Sequence, residues 1–275
     1  MLAVLLAAVL HATWNALAKV LPNKILTLWL FSSTGSVWGL GVMLIGGLPP
    51  EISWGYIAVS ACIHLVYNIG LLSAYRIGDL SHVYPLARGM VPMVVAIVGS
   101  VSLGQPLSSA QWVALALIAG GLTSLTWARN APERSGQVLA VATLTGLAIS
   151  GYTIVDGIGV RLSQHPLSYA AGLFLAQGVL IIGVLTLMRR QPTMQGVAPG
   201  TVMTGIGAGL LSIAAYVIVL WAQTKISLAI VSALRETGVI FAAVIGWRFL
   251  HEQFGLKRVA AALVVALGVG LLLLI

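Results

Sequence analysis

The sequence predicts an all-α integral membrane protein with ten transmembrane helices in a five-plus-five inverted repeat. Three observations carry this expectation. Hydrophobic residues make up 59% of the 275 positions and charged residues only 7%, with a mean hydropathy of +1.04. A soluble domain carries about a quarter charged residues. The apolar residues also fall into ten runs, each long enough for a spanning helix of roughly 17–25 residues. Finally, residues 79–106 and 227–253 echo one another at a constant shift of 147, which sets Arg88 on Arg235, Ala96 on Ala243, Gly99 on Gly246 and Leu103 on Leu250. The register continues through Ala114 and Ala261, Ala119 and Ala266, Gly121 and Gly268, then Leu125 and Leu272.

The predicted helices are 2–20, 25–46, 53–75, 80–101, 108–127, 137–160, 167–188, 199–222, 227–249 and 255–275. Residues 1–20 lack a basic leader and carry His11, Trp14 and Asn15, so they read as a first spanning helix and not as a cleaved signal. Proline, glycine or charge punctuates the junctions that follow: Pro22 to Lys24, Gly47 to Glu51, Gly104 to Pro106, His165-Pro166, and Arg189 to Pro192. The polar stretch Arg129 to Arg134 divides the chain into a first repeat, 1–128, and a second, 137–275. An odd number of helices per half makes the second copy enter the membrane in the opposite sense, the architecture associated with alternating access. Glycine, at 31 residues, suits close helix packing in lipid. Cys62 is the single cysteine, so one chain can form neither a disulfide nor a cysteine metal site.

Polar groups inside the apolar runs mark the candidate site, because an ionisable side chain at mid-membrane costs roughly 2.5–3.5 kcal/mol and calls for a partner or a task. Arg88 in the fourth helix shares a face with Tyr84, four residues away. Arg235 in the ninth is followed by Glu236, about 100° further round the helix. One of that pair faces the cavity and the other pairs with a neighbouring helix. His11 and Asn15 lie four apart on the first helix, His64 and Asn68 on the third with Tyr67 beside them, and Tyr152 and Asp156 on the sixth. Tyr216 on the eighth completes a ring of six helices, and Gln177 on the seventh adds to it. The expected substrate-binding set is Arg88, Arg235, Tyr84, His11, Asn15, His64, Tyr67, Asn68, Tyr152 and Tyr216, with Asp156 and Glu236 as proton-coupling carboxylates. Guanidinium forks suit a carboxylate, phosphate or phosphonate.

Other functions find less support. The sequence contains no HExxH, GxSxG or Walker loop, so neither a metallohydrolase, a serine hydrolase nor a nucleotide-driven pump is expected. The net charge of +8 comes from bases scattered singly among short loops, which does not suggest nucleic-acid binding. No cofactor or metal is expected. Lysines and arginines near the odd-numbered loops outnumber those near the even-numbered loops ten to two, which puts both termini away from the cytoplasm.

The chain resembles the ten-helix members of the drug/metabolite transporter superfamily that carry two EamA domains. The resemblance rests on HATWNALAK at 11–19, YRIGDLSHVYPLARGMVPM at 75–93, the breaks LGQP at 103–106 and LHEQ at 250–253, and the duplication. In that family the fourth helix commonly ends in Gly-Glu. Here Gln105 stands in the first copy and only Glu252 keeps a carboxylate, so a role tied to both is not carried over. The resemblance implies secondary transport of small metabolites by alternating access, and cytoplasmic termini, opposite to the charge count. Together the residues and the resemblance predict a transporter or exchanger of a small anionic or zwitterionic metabolite, such as an amino acid or phosphonate. It is expected to act as a monomer in a bacterial-type inner membrane, among lipid and without enzymatic activity. A membrane enzyme on a lipid-linked substrate, and a drug or cation exporter of the same fold, are the alternatives.

Overall fold

The computed structural model describes residues 1–77, 80–125, 135–250 and 256–275, with side chains described outside 70–85, 135, 138, 243, 246–247, 249–250 and 256–258. Helix follows helix: α1 (Leu2–Val20), α2 (Lys24–Gly46), α3 (Trp54–Ile77), α4 (Leu80–Ser102), α5 (Ser109–Ser124), α6 (Ser135–Ser163), α7 (Pro166–Leu187), α8 (Pro199–Gln223), α9 (Leu228–Arg235), α10 (Gly238–Leu250) and α11 (Leu256–Leu274). Among the described residues there is no strand, as lipid requires of a protein that is not a closed barrel. Among the described residues six helices are long and apolar enough to cross a membrane, and Leu86–Ser102, Ser109–Ser124 and Val259–Leu274 are shorter apolar stretches. The outer surface is greasy, with Ile45 92% and Leu187 84% exposed, so the apolar side chains face outward into lipid as well as inward.

The sequence reading is corrected at the ninth helix. The expected single run 227–249 is two helices, α9 and α10, broken at Glu236-Thr237. Across the break the N–H groups of Glu236, Thr237, Val239 and Ile240 reach the carbonyls three residues back, and the Thr237 hydroxyl donates to the Leu234 carbonyl at 2.7 Å. A hydroxyl that competes for helix carbonyls, followed by the poor helix former Gly238, ends α9 there. Its start is capped twice. Ser227 Oγ accepts from Ile230 N, and Gln105 Oε1, from the loop after α4, accepts from Leu228 N at 2.9 Å. Capping from within the protein satisfies N–H groups that the first turn of a helix leaves open.

The packing is mostly between helices distant in sequence. α2 lies along α7, and α5 along α11; α1 packs on α8, and α3 on α6; α4 packs on α6, and α1 on α9 and α10. α3 also meets α7, α2 meets α8, and α4 meets α9. The close approach of α2 to α7 depends on Gly39, where a Cβ would run into the Ala171 carbonyl and sit 3.1 Å from Leu175 N. Gly39→Ala is therefore expected to cost about 1–3 kcal/mol through overpacking, read as a lower thermal midpoint of the purified protein. Gly41→Ala, with open space at its Cβ, is the control.

Candidate functional site

The site forms where the two arginines meet. Arg88, 5% exposed, comes from the middle of α4, and Arg235, 4% exposed, is the last residue of α9. Arg88 Nη1 donates to Glu236 Oε1 at 2.9 Å, and its Nη2 meets His11 Nε2 from α1. Arg235 Nε lies 4.0 Å from the same carboxylate oxygen, too far for a hydrogen bond, and its Nε and Nη2 have no hydrogen-bond partner. The helical offset between residues 235 and 236 is what separates them. Arg235 turns into the cavity, while Glu236 turns toward α4. Among the described residues the cluster holds two guanidinium groups and one carboxylate.

Both arginines line a cavity of about 150 Å³ at the centre of the helices. An engineered cavity of that size holds a benzene molecule. His11, His64, Tyr67, Asn68, Tyr152 and Tyr216 line it too. A smaller cavity shares Leu28, Asn68 and Ile181 with it and reaches Met188 and Arg190 beyond the end of α7. At the opposite end of α8 the chain is tied shut. Arg161 Nε donates to the Gln223 carbonyl at 2.6 Å and its Nη2 to the Ile226 carbonyl at 2.7 Å.

The remaining expected residues lie elsewhere. Asn15 does not line the cavity; its amide donates to the His11 carbonyl at 2.7 Å, one turn back on its own helix. The side chain of Tyr84 lies outside the described residues. Asp156 and Glu236, the expected proton-coupling pair, are fully buried behind the cavity wall and not on it. Asp156 accepts from Tyr169 Oη at 2.9 Å and from Tyr216 Oη, which joins α6, α7 and α8. Among the described residues no three His, Cys, Asp or Glu side chains converge.

The sequence reading missed several lining residues. Trp14 and Phe31 pack edge to face beside His11, with ring centroids 5.4 Å apart, and Phe174 packs on Tyr216 at 6.1 Å. Ser32 and Ser212 add hydroxyls. Phe31 and Phe174 gave no signal, because an aromatic ring facing a cavity and one facing lipid look the same in an apolar run.

Residues 136–274 match the family described as the EamA-like transporter family. Among solved structures, one titled only "Crystal structure of protein" superposes with a TM-score of 0.80 over 99% of this chain and 96% of its own, at 17% identity. That likeness speaks for the fold alone. No curated protein matches in sequence.

Proposed function

The chain belongs to the EamA-like transporter family, and from that premise we propose that it carries a small anionic or zwitterionic metabolite across the membrane by alternating access between two inverted repeats. The single observation behind the substrate class is Arg235, whose guanidinium is buried, lines the cavity and has an Nη2 without a partner. Its nearest carboxylate oxygen, on Glu236, is 4.0 Å away and already bonded to Arg88, and a buried cation short of partners is expensive. A carboxylate, phosphate or phosphonate entering the cavity supplies both the charge and the missing acceptors.

The packing supports the duplicated architecture. Exchanging each helix of 1–128 with its counterpart in 137–275, α9 and α10 counting as one, turns α1 on α8 into α6 on α3, and α4 on α6 into α9 and α10 on α1. It turns α3 on α7 into α8 on α2, and leaves α2 on α7 and α5 on α11 as they are. All of these contacts are present. A cavity adjoining one that reaches Arg190, with a clamped turn at Gln223–Ile226, fits one of the two states such a carrier alternates between. One chain supplies both halves, so we assign a monomer, working in a bacterial inner membrane. Driving force falls to an ion gradient or exchange, with Asp156 or Glu236 as the proton carrier. Flux into vesicles that is unchanged on collapsing the proton gradient would remove that role.

Binding to the purified protein tests the substrate class. Small carboxylates and phosphonates are expected to raise the thermal midpoint of the wild type, and to raise that of Arg235→Gln by much less. Because Arg235 Nη2 makes no hydrogen bond, Arg235→Gln should itself remain folded. Equal stabilisation of the two proteins by these anions would refute the assignment.

A further inference from the structure

Part of the cavity wall is aromatic, and we infer that this part is a cation subsite for the ammonium group of the substrate. This deepens the proposed function and rests on its arginine-bound anion. Tyr67 of α3, Tyr152 of α6, Phe174 of α7 and Tyr216 of α8 all line the cavity. Their rings meet at steep angles: Tyr67 and Tyr152 at 72° with centroids 6.1 Å apart, Tyr152 and Tyr216 at 67° and 6.4 Å, Phe174 and Tyr216 at 86° and 6.1 Å. Rings set this way wrap a concave corner, and an aromatic corner attracts an ammonium through the negative faces of its rings.

Two hydrogen bonds turn groups at this corner into acceptors. Tyr216 spends its proton on Asp156, which leaves its phenol oxygen as an acceptor and makes its ring more electron-rich. His64 Nδ1 lies 3.0 Å from the Ser60 carbonyl, which only accepts, so the ring proton sits on Nδ1 and Nε2 is left as an acceptor. His64 stacks on Tyr152 with centroids 4.0 Å apart and stands edge-on to Tyr216 at 6.0 Å. Asp156, fully buried, lies directly behind Tyr216 and fixes the direction of its hydroxyl. The same cavity thus offers guanidinium donors together with acceptors and π faces. A molecule with an anionic and an ammonium end matches both.

The ammonium could belong to the substrate or to a separate cation, and the test separates the two. Tryptophan fluorescence of the full-length protein, with Trp14 in the cavity wall, would follow titration with 2-aminoethylphosphonate, with ethylphosphonate and with tetramethylammonium. The same titrations would be run on Tyr152→Leu, Tyr152→Phe and Arg235→Gln. The expected result is that the aminophosphonate binds wild type about tenfold more tightly than ethylphosphonate. That ratio should fall toward one in Tyr152→Leu and survive in Tyr152→Phe, which keeps the ring. Equal affinities in wild type, or a ratio that survives in Tyr152→Leu, would overturn the ammonium subsite and leave the anion reading standing. If neither phosphonate binds wild type, the anion reading falls and this inference falls with it. Tetramethylammonium binding that is indifferent to Arg235→Gln and unaffected by saturating ethylphosphonate would mean a separate cation site, and would overturn the single-substrate assignment.

Discussion

Arg88→Ala is expected to lower stability by about 3–5 kcal/mol, the usual cost of breaking a buried ion pair by removing one partner. Arg88 and Glu236 meet at 2.9 Å with side chains 6% and 0% exposed. Without Arg88, Glu236 is left buried with Arg235 Nε at 4.0 Å and no hydrogen bond from it. Glutamine at 236 needs no counter-charge, so the double variant Arg88→Ala/Glu236→Gln should be more stable than Arg88→Ala alone. That non-additivity is the signature of a direct pair. Arg235→Gln belongs to the opposite class: it should cost little stability and most of the anion binding. The two arginines occupy matching positions in the sequence, yet on this reading Arg88 anchors α4 to the α9–α10 break and Arg235 holds the ligand. Denaturation midpoints of the wild type and these three variants decide it. An Arg88→Ala variant as mild as Arg235→Gln would show that the pair carries no such weight.

The sequence made the helices legible because lipid leaves so few alternatives: an apolar run bounded by proline, glycine or charge has only one form to take there. It did not show the α9–α10 break. All eight residues of α9 are buried, so its apolar pattern names no face, and the pattern runs through Thr237-Gly238 without interruption. Polar periodicity found the wall of the cavity only in part. His11, His64 and Tyr152 lie on it, whereas Asn15, in step with His11, spends its amide on its own helix. Spacing cannot tell those two uses apart. The offset of about 100° between Arg235 and Glu236 was informative, because it required the two charges to point to different places. Tyr169 gave no signal. It lies 13 residues after Asp156 across the His165-Pro166 turn, and its bond to that carboxylate exists only because the turn folds α7 back against α6.

Asp156→Ala is the second large effect expected. The carboxylate holds the hydroxyls of Tyr169 and Tyr216, and alanine leaves both donors without it. Tyr169 is fully buried, where a polar group left without a partner costs about 1–3 kcal/mol, and Tyr216 at the cavity wall adds less. Tyr169→Phe removes a donor and its need together, and should cost only about 1 kcal/mol. Asp156→Asn separates structure from transport. Its amide oxygen still accepts from a phenol, so the variant should fold, but it carries no titratable proton. If Asp156 carries the coupled proton, Asp156→Asn should lose uptake driven by a proton gradient and keep substrate exchange between the two sides. Gradient-driven uptake that persists in Asp156→Asn would confine Asp156 to holding Tyr216 in the cavity wall, and would leave Glu236, paired with Arg88 one helix away, as the remaining candidate for the proton.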